Sequence, residues 1–169
     1  MAASINQDTV INNIEFAQKA LEIHDIIPVL HFSRIADMLA NTEGRLDCRL
    51  QGGKDANNAL YIRLLVHGTL SLTCQRCLQP FEHEVSIDTH FILVRNESDM
   101  PAPEDESDEE DYLLIQAEMP VFELMEDELL LALPIAPKHE EGECSNESNV
   151  GDYKKPNPFA KLELLKSKK

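Results

Sequence analysis

The chain has 169 residues, 43% of them hydrophobic, no tryptophan, and a formal net charge of -16 at pH 7. That length holds one domain with extensions and enough apolar residues for a packed core. The charge is far from the basic footprint of a nucleic-acid binder; it repels phosphates and anionic membrane surfaces and attracts basic proteins.

The first residues, MAASINQDTVINN, lack the basic start and apolar stretch of a secretory signal, and no apolar run reaches the roughly 18 residues of a membrane span. With four cysteines and no export signal, the expectation is reduced thiols, a cytoplasmic location and no membrane partner.

Before residue 45 the pattern is mostly helical. Ile14, Ala17, Ala20 and Leu21 recur at helical spacing, and Pro28 closes that segment. Ser33 is the expected N-cap of a short second helix that buries Ile35, Met38 and Leu39, and Gly44 ends it.

From residue 45 the period falls to two. Leu46, Cys48 and Leu50 alternate with charged residues, so Cys48 reads as core, and Gly52-Gly53 reads as a turn. Leu60, Ile62, Leu64 and Val66 repeat at even positions; past Gly68, read as a bend, Leu70, Leu72 and Cys74 resume the register. After Cys74-Gln75-Arg76-Cys77 the apolar face moves to odd positions, with Phe81, Val85, Ile87 and Phe91, and His83 also falls on it. This is the code of antiparallel strands with one wet face.

Residues 104–111, preceded by Pro101 and Pro103, are acidic apart from Ser107 and read as part of a solvated loop at about 97–111. Tyr112–Ala117 suits one more strand. Pro120 then opens a helix with Phe122, Met125 and Leu129 on one stripe, and Pro134 stops it. The expected fold is α+β: an antiparallel sheet, as a meander or small partly closed barrel, with N-terminal helices and one C-terminal amphipathic helix. It forms a single domain over residues 1–150, followed by a basic tail over 151–169.

Residues 154–169 hold six lysines and one glutamate, a local +5, which leaves -21 on the rest of the net -16 chain. Lys154, Lys155, Lys161 and Lys166 are candidate contacts to RNA phosphate, and Phe159 with Leu162 and Leu165 suits docking onto a partner or onto the acidic body. A lysine-rich end that only keeps the chain soluble is the plainer reading of the same residues.

Cys74-x-x-Cys77 allows three readings. Two residues between thiolates let both sulfurs face one zinc ion, but a closed site needs four ligands; His139 and Cys144, in a segment without apolar pattern, are the candidate completions. A redox pair needs a helix starting at the motif to lower the thiol pKa, whereas Pro80 and a strand pattern follow here. The plain alternative is a tight connection with two unliganded cysteines, and the sequence leans slightly that way. Zinc is therefore a candidate cofactor and not a certain one. No hydrolase, P-loop or dinucleotide fingerprint occurs, so no catalytic residue is assigned. His24, His31, His67 and His90 read as surface or satisfied core histidines.

Several ordered segments carry a resemblance: Ala17-Gln18-Lys19, Leu72-Thr73-Cys74-Gln75-Arg76-Cys77 with Pro80-Phe81, Glu126-Asp127-Glu128 running into Leu131-Ala132-Leu133-Pro134-Ile135-Ala136-Pro137, His139, and Lys155-Pro156-Asn157-Pro158-Phe159-Ala160. Together they resemble the YceD family of bacterial and plastid large ribosomal RNA subunit accumulation proteins, over nearly the whole chain. The resemblance implies a non-enzymatic factor in the synthesis, processing or stability of 23S ribosomal RNA, and so in large-subunit assembly. The expected partner is a basic ribosomal protein, which the acidic body shields or for which it mimics the RNA that protein later binds, or a pre-ribosomal particle, with the tail touching RNA or the particle. Two alternatives stay open: an RNA-binding module using the tail with Arg63 or Arg76, and a CxxC protein dependent on thiol redox or zinc.

Overall fold

The computed structural model describes residues 5–101, 111–140 and 142–144. Most of the expected acidic loop and the whole tail, including Lys154, Lys155, Phe159, Lys161 and Lys166, lie outside the described residues. In chain order the elements are β1 (Val10–Ile11), α1 (Asn13–Gln18), β2 (Glu22–Pro28), two 3-10 turns (Val29–His31 and Ser33–Met38), β3 (Arg45–Lys54) and β4 (Leu60–Thr73). β5 (Pro80–Val94), a 3-10 turn (Glu97–Asp99), β6 (Asp111–Leu114), β7 (Met119–Pro120) and α2 (Val121–Ala132) follow.

The architecture is mixed α+β. A five-stranded sheet runs in the order β2-β3-β4-β5-β6, and β1 pairs with β7 as a separate ribbon. Strands β2 to β5 are antiparallel neighbours, a meander of long ribbons, but β6 lies parallel to β5. Among the described residues the sheet has two edges, β2 and β6.

The two-residue alternation sets the buried face. Ile62, Leu64, Val66, Leu70 and Leu72 of β4 are fully buried, and Val85, Ile87 and Phe91 of β5 join them across the ladder. The 3-10 turn at Ser33–Met38 and helix α2 cover this face, with Ile35, Met125 and Leu129 wholly buried and the rings of Phe32 and Phe122 stacked at 5.0 Å. Each such aliphatic side chain contributes about 1.5–3 kcal/mol relative to leaving it in water.

The N-terminal third departs from the helical reading. Helix α1 spans six residues, capped by the Asn12 side chain accepting from Glu15 N–H, and Ala20 takes a left-handed conformation (φ 47°) that turns the chain. β2 follows where helix was expected. Ile23, Asp25 and Ile27 share the face that pairs with Leu50, Cys48 and Leu46, and Asp25 interrupts the apolar alternation that would have announced a strand. Ser33 does not cap an α-helix: its segment is 3-10, and the carboxylate of Glu126 from α2 accepts the Arg34 backbone N–H (3.1 Å).

Gly52-Gly53 is not a turn but lies inside β3. A Cβ at Gly52 would stand 2.7 Å from the Phe16 carbonyl oxygen, so the absent side chain is what lets α1 rest on the strand. The reversal comes later, at Asp55, whose side chain accepts from the N–H groups of Asn57 and Ala59, with Asn58 left-handed (φ 65°).

Candidate metal centre

The corner between β4 and β5 is Cys74 to Gln79. Leu78 donates to the Cys74 carbonyl (2.9 Å) and Cys74 to the Gln79 carbonyl (3.0 Å), a tight reversal that requires the left-handed conformation of Leu78 (φ 60°). No helix starts here, because Pro80 opens β5. Helix α2 ends at Ala132, and the proline-rich stretch beyond it returns to the corner, where the Gln75 N–H bonds the Pro137 carbonyl (2.8 Å). That strap delivers His139 and Cys144.

The four candidate ligands meet. One donor atom from each of Cys74, Cys77, His139 and Cys144 lies within 4.8 Å of all the others. The Sγ atoms of Cys74 and Cys144 are 3.8 Å apart, and His139 Nδ1 is 3.4 Å from Cys77 Sγ and 3.6 Å from Cys144 Sγ. A tetrahedral zinc ion with the usual bond lengths needs S–S separations of about 3.8 Å and S–N separations of about 3.5 Å, so the donor set fits. The four cysteines of the described residues are free thiols, and Cys48 stands apart in the core.

Backbone donors prepare the sulfurs. Burial opposes ionisation of Cys74, but N–H groups of Cys77, His139 and Arg76 point at its sulfur and pull its pKa down to about 5. Cys77 goes the other way: burial raises it, and so do the neighbouring thiols of Cys144 and Cys74, which disfavour a second negative charge. Cys74 thus ionises readily while Cys77 resists, a conflict that a divalent cation removes. Arg76 adds a donor from outside the ligand set, its Nε reaching Cys144 Sγ at 3.0 Å. The sequence reading weighed Arg76 only as an RNA contact; its place inside the CxxC was the available signal.

The His139 ring packs against Phe81 at 5.1 Å, and Phe81 also meets His83 edge-on at 6.5 Å. This explains a histidine on the apolar side of β5. Four protein ligands leave no open position, so such a site suits folding and not catalysis.

The family described as "Large ribosomal RNA subunit accumulation protein YceD" matches residues 62–166, which include all four candidate ligands. The chain belongs to the YceD family. A protein of Haemophilus influenzae named large ribosomal RNA subunit accumulation protein YceD is 25% identical to it, over 94% of this chain and 95% of that protein. No solved structure matches. The family description names an accumulation role and no reaction. Among the described residues no helix is long and apolar enough to cross a membrane.

Proposed function

We propose that this YceD-family chain is a non-enzymatic factor for 23S ribosomal RNA, acting in its synthesis, processing or stability and so in assembly of the large ribosomal subunit. The observation that carries this is the family match, which runs from near the start of β4 through the cysteine corner to the lysine tail. The partner class is a basic ribosomal protein or a pre-ribosomal particle of the large subunit, because a body carrying -21 repels bare RNA and attracts cations.

In this reading Cys74, Cys77, His139 and Cys144 hold a structural zinc ion. When bound, the ion supplies a cross-link between the β4–β5 corner and the segment that precedes the tail. Lys154, Lys155, Phe159, Lys161 and Lys166 then contact the particle or its RNA.

Affinity capture on the purified chain tests the reading. Basic large-subunit proteins should be retained at low salt and released as the ionic strength rises, and depletion of the protein in cells should lower 23S ribosomal RNA. The reading fails if the chain captures no ribosomal protein and binds RNA alone at physiological salt. A chain lacking residues 154–169 separates the RNA-binding alternative, which requires RNA affinity to vanish with the tail.

A further inference from the structure

Arg76 touches two thiols at once. Its backbone N–H reaches Cys74 Sγ (3.4 Å), and its guanidinium Nε donates to Cys144 Sγ (3.0 Å), a residue 68 positions further along the chain. Both sulfur atoms belong to buried residues. We propose, on the reading that zinc occupies the four ligands, that Arg76 is a positioning residue of the centre: it orients Cys144 as a thiolate ligand and neutralises the charge of the bound site.

The charge argument is direct. Three thiolates and a neutral imidazole around a divalent ion carry a formal -1. That charge lies in a chain of net -16, close in sequence to Glu140 and Glu143, and Glu82 lines the same cleft as His139. One guanidinium offsets that formal charge and adds a charge-assisted N–H···S bond in a part-buried setting.

Arg76 also explains how a corner selects its distant ligand. The Cys74–Cys77 turn fixes the arginine backbone, so the side chain projects from the corner to the place where Cys144 must arrive. Lysine would supply the charge without the planar, directed N–H.

The test uses the full chain, with zinc affinity measured by competition against a chromophoric chelator and with cobalt(II) substituted for optical spectra. R76A should still take up one metal per chain but bind zinc about 10–100-fold more weakly. Its sulfur-to-cobalt charge-transfer band should move to lower energy while the tetrahedral ligand-field bands persist. R76K should recover part of the affinity, and R63A should leave it unchanged. Should R76A not fold, the loss in R76K relative to R63A carries the comparison. An R76A affinity within about twofold of wild type, with no band shift, overturns the role of Arg76 alone. A wild-type chain that takes up neither metal overturns the zinc reading and this inference together.

Discussion

The Nδ1 of His139 lies 3.4 Å from the Sγ of Cys77, although 62 residues separate them. Such closeness across the chain makes metal occupancy measurable. Protein purified without chelators should contain about one zinc per chain, and H139A or C77S should lose most of it. On chelation, hydrogen exchange should rise at residues 137–144 and stay unchanged in β4. Exchange that rises equally in both regions would mean the metal supports the whole fold and is not a local clamp.

Thiol reactivity should divide the cysteines. Burial pushes Cys48 up to about 12, and the carboxylates of Asp47 and Asp25 add to this, so its thiol stays protonated at pH 8. Iodoacetamide followed by mass spectrometry should leave Cys48 unmodified in native protein with or without metal. Cys77, the half-buried thiol of the cluster, should become modified once metal is removed. Equal labelling rates at Cys48 and Cys77 would show that β3 is not packed as described.

The absent side chain at Gly52 should matter more than its position within a strand suggests. In G52A the new methyl meets the Phe16 carbonyl at 2.7 Å and the Ala17 Cα at 2.8 Å, both backbone atoms that move only if α1 lifts. Urea denaturation should show a loss of about 1–3 kcal/mol, typical of overpacking. A neutral result would mean that α1 rides loosely on β3.

Glu128 on α2 accepts a hydrogen bond from the Thr89 hydroxyl (2.6 Å) on β5. Burial raises its pKa, the Thr89 bond lowers it, and Asp111 and Asp127 raise it, with a net upward shift. The folded value therefore lies above the unfolded one of about 4.3. The ionised group opposes folding at neutral pH, and this opposition fades as pH falls through the raised folded value. E128Q should be more stable than wild type at pH 7, by under about 1 kcal/mol after solvent screening. The difference should close below about pH 4. Denaturation midpoints across that range check it, and a gap that widens on acidification would contradict the sign.

Strands β4 and β5 were legible because each buries every second residue, and the change from even to odd positions at the corner is visible as a frame shift between Cys74 and Val85. β2 was hidden for a stated reason: Asp25 sits between Ile23 and Ile27 on the inward face, where its carboxylate accepts the Ile5 N–H (2.8 Å). Gly52-Gly53 mimicked a turn because the letters for close packing and for reversal are the same. The parallel β6 has only four residues, too few to announce its direction. Within the site, the CxxC spacing was readable, as were His139 and Cys144 in a segment lacking apolar pattern. Their convergence goes with the long-range Gln75–Pro137 hydrogen bond, which no local pattern encodes.

The cluster draws its ligands from Cys74 at one end and Cys144, 70 residues later, at the other. Joining two points so far apart in an unfolded chain carries a larger loop-closure penalty than pairing neighbouring strands does. The meander of adjacent ribbons should therefore assemble first, and capture of the ion should be among the last events of folding. On the zinc reading, a newly made copy would pass through a stage with its ladder formed and residues 137–144 still unfastened, and metal supply would set how quickly they are secured.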